Sequence, residues 1–460
     1  MSDALDLGLR RQAAAVAEGE VDPAELLDAC LERIERRNPD LNAIVAIFPD
    51  RSRQMLEEAP EGPLRGVPVV IKDEWPLPWR GHTFGAPPEH LGVEPGESAP
   101  YRALRDAGAV IAAVANMHEL GTSSTGNASF FGPTHNPWDL DRCPGGSSSG
   151  PAASVAGGLV AGAVGADGLG SIRYPAAYCG LTGLKPTFGR SAMEGHHLAP
   201  VTETIVSGPL CRDAGDARLL ASVLFGEQLP PGDARVRASA TRLTDGLRIG
   251  VVRDPYWSDS APGVLAACES ALESLRAEID GEVIEVELPA DELHLPAALL
   301  VAQAEGAAEL TPERLNSLSP EISVINRSLI KLRAVLPMSL TARAFLVRTQ
   351  ARRSLAALFE RIDVLAWPTV PAIAPPLAEP MVELPSGIAS ADAGNARGGV
   401  IANLTGIPGV SVPVGLDEGM PVGLQLLGRW GSDALLLDAA EALERATGRE
   451  FVELRPAAVA

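Results

Sequence analysis

The stretch "GGSSSGPAASVAGGLVAGAVGADGLGSIRYPAAYCG", residues 145–180, constrains the fold most, because almost nothing in it is large. Pro151 suits the first turn of a helix, where its missing N–H costs nothing. Ala152 to Ala156 continue that helix and the pair Gly157–Gly158 can end it. The chain then returns as a strand to about Val164 and enters a glycine-rich loop carrying Ser171. A helix of about eight residues covers roughly 12 Å, and a strand of about five covers roughly 17 Å. Out and back are similar in length, so the turns holding Ser147 and Ser171 can meet. Chains this thin pack closely, which places the hairpin inside the core.

The rest of the chain alternates strand and helix signals. "PAELLDACLERIERRN" sets Leu26, Leu27, Cys30, Leu31 and Ile34 on one helical face, and residues 1–37 read as helical. "GVPVVIKDE" is an apolar run ending in charge, hence a buried strand with Lys72 at its exit. Helix then strand follows in "APYRALRDAGAVIAAVANMHEL", and "LRIGVVRD" and "IDVLAWPTV" are further strands. Strand, strand and helix close the chain in "GVSVPVG", "PVGLQLLG" and "ALLLDAAEALERATG". Such alternation predicts an α/β sheet covered on both faces. Strand signals weaken between about 230 and 345, which suggests a helical insertion within one large domain spanning 1–460.

Several functions are disfavoured by composition. A net charge of −21 and a pI near 4.8 oppose a nucleic-acid surface, which needs basic patches. Five cysteines, widely spaced and without a C-x-x-C pair, fit a reducing cytoplasm and neither a disulfide framework nor a zinc site. His118–Glu119 lacks the second histidine of a zinc motif, so no metal and no cofactor are expected. The N-terminus has no signal-peptide core, and "AASVAGGLVAGAVGA" is too short to span a bilayer. A soluble cytoplasmic protein is expected.

Three serines stand in a row at 147–149, and "GSSSG" mimics the G-x-S-x-G nucleophile elbow centred on Ser148. An elbow needs a strand directly before it, and "DLDRCPGG" is not one. Around Ser171, Gly165, Gly168 and Gly170 can turn backbone N–H groups toward a developing oxyanion. Asp167 and Arg173 flank that serine and are expected to pair and hold the loop. None of the seven histidines, His196–His197 and His294 included, stands in an obvious relation to either serine, so a Ser-His-Asp arrangement is possible but unmarked. A lysine can act as base instead if it is neutral, and lowering a lysine from about 10.4 to about 7 costs roughly 4 to 5 kcal/mol. Only three lysines occur, Lys72, Lys185 and Lys331, and Lys72 at a buried strand end is the one so placed.

The 145–180 segment, continued through "LTGLKP", resembles the signature of the amidase signature family. The likeness extends in order through "GVPVVIKDE", "STGNASFFGPTHNPWD", "GPLCRDAGDARLL", "DVLAWPTVPAIAPP" and "NLTGIPGVSVPVG" to "PVGLQLLG". It implies a mixed, twisted central sheet with helices on both sides. It also implies a Ser–cisSer–Lys triad: Ser171 as nucleophile, Ser147 as the relay serine after a cis peptide, Lys72 as base. Backbone groups of Gly168, Leu169 and Gly170 would line the oxyanion hole, and Thr122 and Ser123 the substrate pocket. The implied reaction is hydrolysis of a small-molecule amide through a seryl acyl-enzyme; from composition, neither a nucleic acid nor a membrane is expected as partner. A homodimer is compatible with the resemblance.

Two positions depart from the family pattern. Leu169 stands where a small residue is usual, and its side chain forbids a glycine-only dihedral. Glu74 stands where asparagine is frequent, followed by Trp75 and Trp79, which hint at an apolar or aromatic acyl group. The A subunits of glutamyl-tRNA amidotransferases look similar throughout. They carry an acidic glutamine-binding residue seven positions before the asparagine of "NLTG", where this chain has Ala396 ahead of Asn403. A non-catalytic relative, spoiled at Leu169, is the remaining alternative.

Overall fold

In the computed structural model, residues 2–88, 94–196, 202–226, 246–307 and 323–448 are described. Thirteen strands occur among them: β1 (Ile44–Ile47), β2 (Pro68–Lys72), β3 (Val110–Ala115), β4 (Gly162–Asp167), β5 (Thr182–Lys185), β6 (Val206–Cys211), β7 (Arg248–Val251), β8 (Glu282–Glu285), β9 (Val364–Pro368), β10 (Met381–Leu384), β11 (Gly387–Ser390), β12 (Gly409–Asp417) and β13 (Met420–Gly428). Eleven form one sheet in the order β1-β3-β2-β4-β6-β5-β12-β13-β9-β7-β8, and β10 and β11 make a separate hairpin.

Pairing is mixed. β3, β2 and β4 run parallel, as do β9, β7 and β8, while the strands between them are antiparallel. Every residue of β2, β3, β4 and β13 is buried, so both faces of the central sheet are covered. This is the α/β architecture that the alternation of signals implied. The β12–β13 hairpin turns over Glu418 and Gly419, both at positive φ, as a two-residue turn of this hand requires.

The helix after Ser148 runs Ser149–Ala156, and Gly158 follows it with φ +69°, so the chain reverses where the glycine pair was expected to end it. It packs over β4, β2 and β3. A Cβ on Gly150 would lie 2.4–2.5 Å from backbone atoms of Ala43 and Asn116, and one on Gly165 would lie 2.9 Å from Ser148 Oγ. The small residues therefore let backbones approach to a distance that no side chain allows.

The region 230–345, expected as a possible helical insertion, carries the strand read at 247–254 and one more besides its helices. Its described part holds helices Pro262–Glu278, His294–Ala307 and Val324–Arg333, yet it also supplies β7 and β8 to the main sheet. Ile249 and Val251 of β7 are buried beside β9. β8 is a four-residue edge strand with glutamates at both ends, too short and polar for a strong periodic signal.

Candidate active site

Because β2 and β4 are parallel neighbours, their C-terminal ends reach the same edge of the sheet, where ligands of open α/β sheets characteristically bind. Lys72 ends β2, and its side chain is 1% exposed. Its ammonium donates to Ser147 Oγ at 2.9 Å and to the Ala166 carbonyl of β4 at 3.4 Å.

Ser147 precedes the Ser149–Ala156 helix, and the peptide bond joining it to Gly146 is cis. Its carbonyl accepts the His118 N–H at 3.1 Å. Ser148 N–H donates to the Ser171 carbonyl at 3.2 Å, so the two turns that strand and helix lengths bring together are in contact. The Ser148 hydroxyl itself donates to the Ala166 carbonyl at 3.1 Å and accepts the Ala166 N–H at 3.3 Å, fully buried. It fastens the helix to β4 and is no elbow nucleophile.

The loop after β4 is built on Asp167. Its carboxylate accepts Gly170 N–H (2.6 Å), Ile172 N–H (3.2 Å) and Arg173 Nε and Nη2 (3.0 and 3.2 Å), with both side chains fully buried. Burial pushes this carboxyl up, but Arg173 beside it prevails and holds it at about 2. Arg173 also donates to the Gly399 carbonyl, Gln425 and Asn403, and Asn403 Nδ2 donates to Asp167 and to the Thr204 carbonyl. The expected pairing thus sits inside a larger network whose Asn403 comes from the "NLTG" motif.

This network engages part of the backbone expected to face an oxyanion. Gly170 N–H is committed to Asp167, and Gly165 lies inside β4. Among the described residues the N–H groups of Gly168, Leu169 and Ser171 make no internal hydrogen bond. Leu169 does not occupy a positive-φ conformation; that demand falls on Gly170 (φ +119°), where a Cβ would lie 2.0 Å from the Tyr174 ring. A leucine is therefore compatible with the backbone of this loop.

Thr122 and Ser123 border the Ser147 turn: a Cβ on the adjacent Gly121 would lie 3.5 Å from Ser147 Oγ. Their hydroxyls are engaged, Thr122 Oγ1 lying 2.6 Å from Asn326 Oδ1 and Ser123 Oγ donating to Asp392 at 2.9 Å. Among the described residues no group of three or more His, Cys, Asp or Glu side chains is placed to hold a metal ion.

The family model described as Amidase matches residues 25–437. The chain belongs to the amidase signature family. It is 35% identical to the A subunit of the glutamyl-tRNA(Gln) amidotransferase of Anaeromyxobacter dehalogenans, over 96% of each chain. A crystal structure of an amidase superposes with a TM-score of 0.86 at 30% identity, covering 96% of this chain and 100% of the other. The structure of 6-aminohexanoate cyclic dimer hydrolase complexed with substrate gives 0.85 at 27% identity, covering 99% and 100%. The family and these neighbours make the chain an enzyme acting on carbon–nitrogen bonds.

Against that family the departure at Glu74 acquires a place. Its Oε2 lies 2.6 Å from Lys72 Nζ, and its Oε1 lies 2.8 Å from His196 Nε2. Burial pushes the Glu74 carboxyl up, but the charges and hydrogen bonds of Lys72 and His196 outweigh it and hold it well below the usual carboxylate range. Trp75 is fully buried edge-on to His196, and Trp79 packs against Phe48 and Tyr101. No sequence pattern marked His196, because 122 residues separate it from Glu74. Cys143 and Cys179 are buried thiols directed at the carbonyls of Pro376 and Pro144.

Proposed function

We propose that this amidase hydrolyses the amide bond of a small carboxamide through an acyl-enzyme on Ser171. The observation that carries the reading is the Lys72–Ser147 hydrogen bond, made on a turn in contact with the Ser171 loop. Deprotonated Lys72 takes the Ser147 proton as Ser147 takes that of Ser171, and Ser171 Oγ bonds to the amide carbon. The carbonyl oxygen becomes an oxyanion facing the N–H groups of Gly168 and Leu169. Collapse breaks the carbon–nitrogen bond, and the proton returns through Ser147 to the departing nitrogen. Water, deprotonated along the same path, then releases the acid and restores Ser171.

A small carboxamide is favoured over glutamine because Ala396, partly buried in the Ala391–Thr405 helix, offers no charge to a substrate ammonium. The similarity to the A subunits of amidotransferases supports a second reading, glutamine hydrolysis within a tRNA-dependent assembly. One turn before Ala396, Asp392 binds Ser123 and Ser124 and would supply the acidic group that reading needs. Ammonia release by the isolated chain distinguishes them. Turnover of simple primary carboxamides, abolished in Ser171→Ala, is the expected result. Turnover of glutamine alone, and only with added partner proteins, would favour the second.

A further inference from the structure

The proton acceptor of this site is not surrounded only by neutral groups. Lys72 Nζ has Ser147 Oγ on one side at 2.9 Å and Glu74 Oε2 on the other at 2.6 Å. The Lys72 and Glu74 side chains are 1% and 6% exposed, so water screens the pair weakly. Beyond Glu74, His196 lies 2.8 Å from the second carboxylate oxygen, and the Trp75 and Phe84 rings lie edge-on to its imidazole. Three side chains therefore continue the line from Ser147 into the core: lysine, carboxylate, imidazole.

We propose that Glu74, held by His196, is a positioning residue that sets the pH at which the nucleophile becomes active. The inference rests on the reading of Lys72 as base. A carboxylate in contact with an ammonium favours the charged form, and a charged Lys72 cannot accept the Ser147 proton. Removing the Glu74 charge from its 2.6 Å contact with Lys72 therefore makes it easier for Lys72 to accept that proton. Among the described residues, Asp73 and His82 also stand beside these side chains. Asp73, on the turn after β2, is tied to Arg80 at 2.5 Å. His82 lies across Phe84 from His196, with its imidazole pushed down to about 3 by burial and by the charges of His196 and Arg80. Neither competes with Glu74 for contact with Lys72. Glu74 also stands where the resemblance led us to expect asparagine, so this control belongs to the chain and not to the common triad.

The test is the rate of fluorophosphonate labelling, measured by intact mass from pH 5 to 10, for the full chain. In Glu74→Gln the pH of half-maximal labelling falls by about 1 to 3 units, the usual effect of a contacting opposite charge. Glu74→Asp keeps the charge but withdraws it, and gives a smaller fall in the same direction. It serves alone if the glutamine variant does not fold. A merely structural Glu74 would lower the rate at every pH and leave the midpoint in place. A midpoint that stays or rises in both variants, with labelling still dependent on Lys72, overturns this inference alone. Labelling absent at Ser171, or unchanged in Lys72→Met, overturns the triad reading and the inference with it.

Discussion

Asp167 shows how much one buried carboxylate organises. It fixes the backbone of the Ser171 loop through two N–H groups, neutralises Arg173, and through Arg173 and Asn403 ties the loop to the Ala391–Thr405 helix. Replacing it by alanine leaves Arg173 charged, buried and unpaired, so Asp167→Ala should cost about 3–5 kcal/mol, read from denaturant unfolding. Glu444 behaves in the opposite way. Burial pushes its carboxyl up to about 8, against 4.5 for an ordinary glutamate, even with the Thr182 hydroxyl and the Ala214 N–H donating to it. Its folded value lies above its unfolded one, so it contributes stability fully below about 4.5 that is lost as pH rises through about 8. Lys185, buried and pushed down to about 7, acts in the reverse sense from about 7 upward. Glu444→Gln should therefore flatten the decline of Tm between about pH 5 and 8, and a variant with the wild-type slope would refute the assignment.

At the scale of elements, the hairpin of residues 149–167 follows its sequence in helix and reversal, while its strand runs on to Asp167 and takes in Gly165. Small residues and a proline–glycine punctuation specify helix, reversal and strand locally, with little left to distant contacts. Gly150 is the position that closeness depends on. Gly150→Ala would push a methyl into the backbones of Ala43 and Asn116, and should lower stability by about 1–3 kcal/mol or more. Gly96→Ala, at an open position without a positive φ, is the control and should melt like the wild type. Equal melting of the two would show that the helix can shift. The same local logic placed Lys72 at the end of β2. It did not find β8, whose four residues alternate too briefly, nor His196 and Asn326, which reach the site from remote segments. Contacts of that kind are set by topology, and no period or cap in the chain announces them.

For the molecule as a whole, the site is a consequence of strand order. β2 and β4 are parallel neighbours although β3 and the whole 116–161 connection lie between them in sequence, and that pairing joins Lys72 to the Ser147 and Ser171 turns. Sheet class and the covered faces were legible from alternating patterns; the order of the eleven strands was not, because pairing partners leave no local mark. No described helix is long and apolar enough to cross a membrane. Charge was legible as a whole-chain quantity, whereas the buried contact between Glu74 and Lys72 was not. The central claim, that Ser171 is an activated nucleophile served by Ser147 and Lys72, is tested most directly by incubating the protein with a fluorophosphonate and mapping the adduct by peptide mass spectrometry. A single adduct on Ser171 is expected, absent in Ser171→Ala and strongly slowed in Lys72→Met. An adduct on Ser148, or a folded wild-type protein that takes none, would contradict the account.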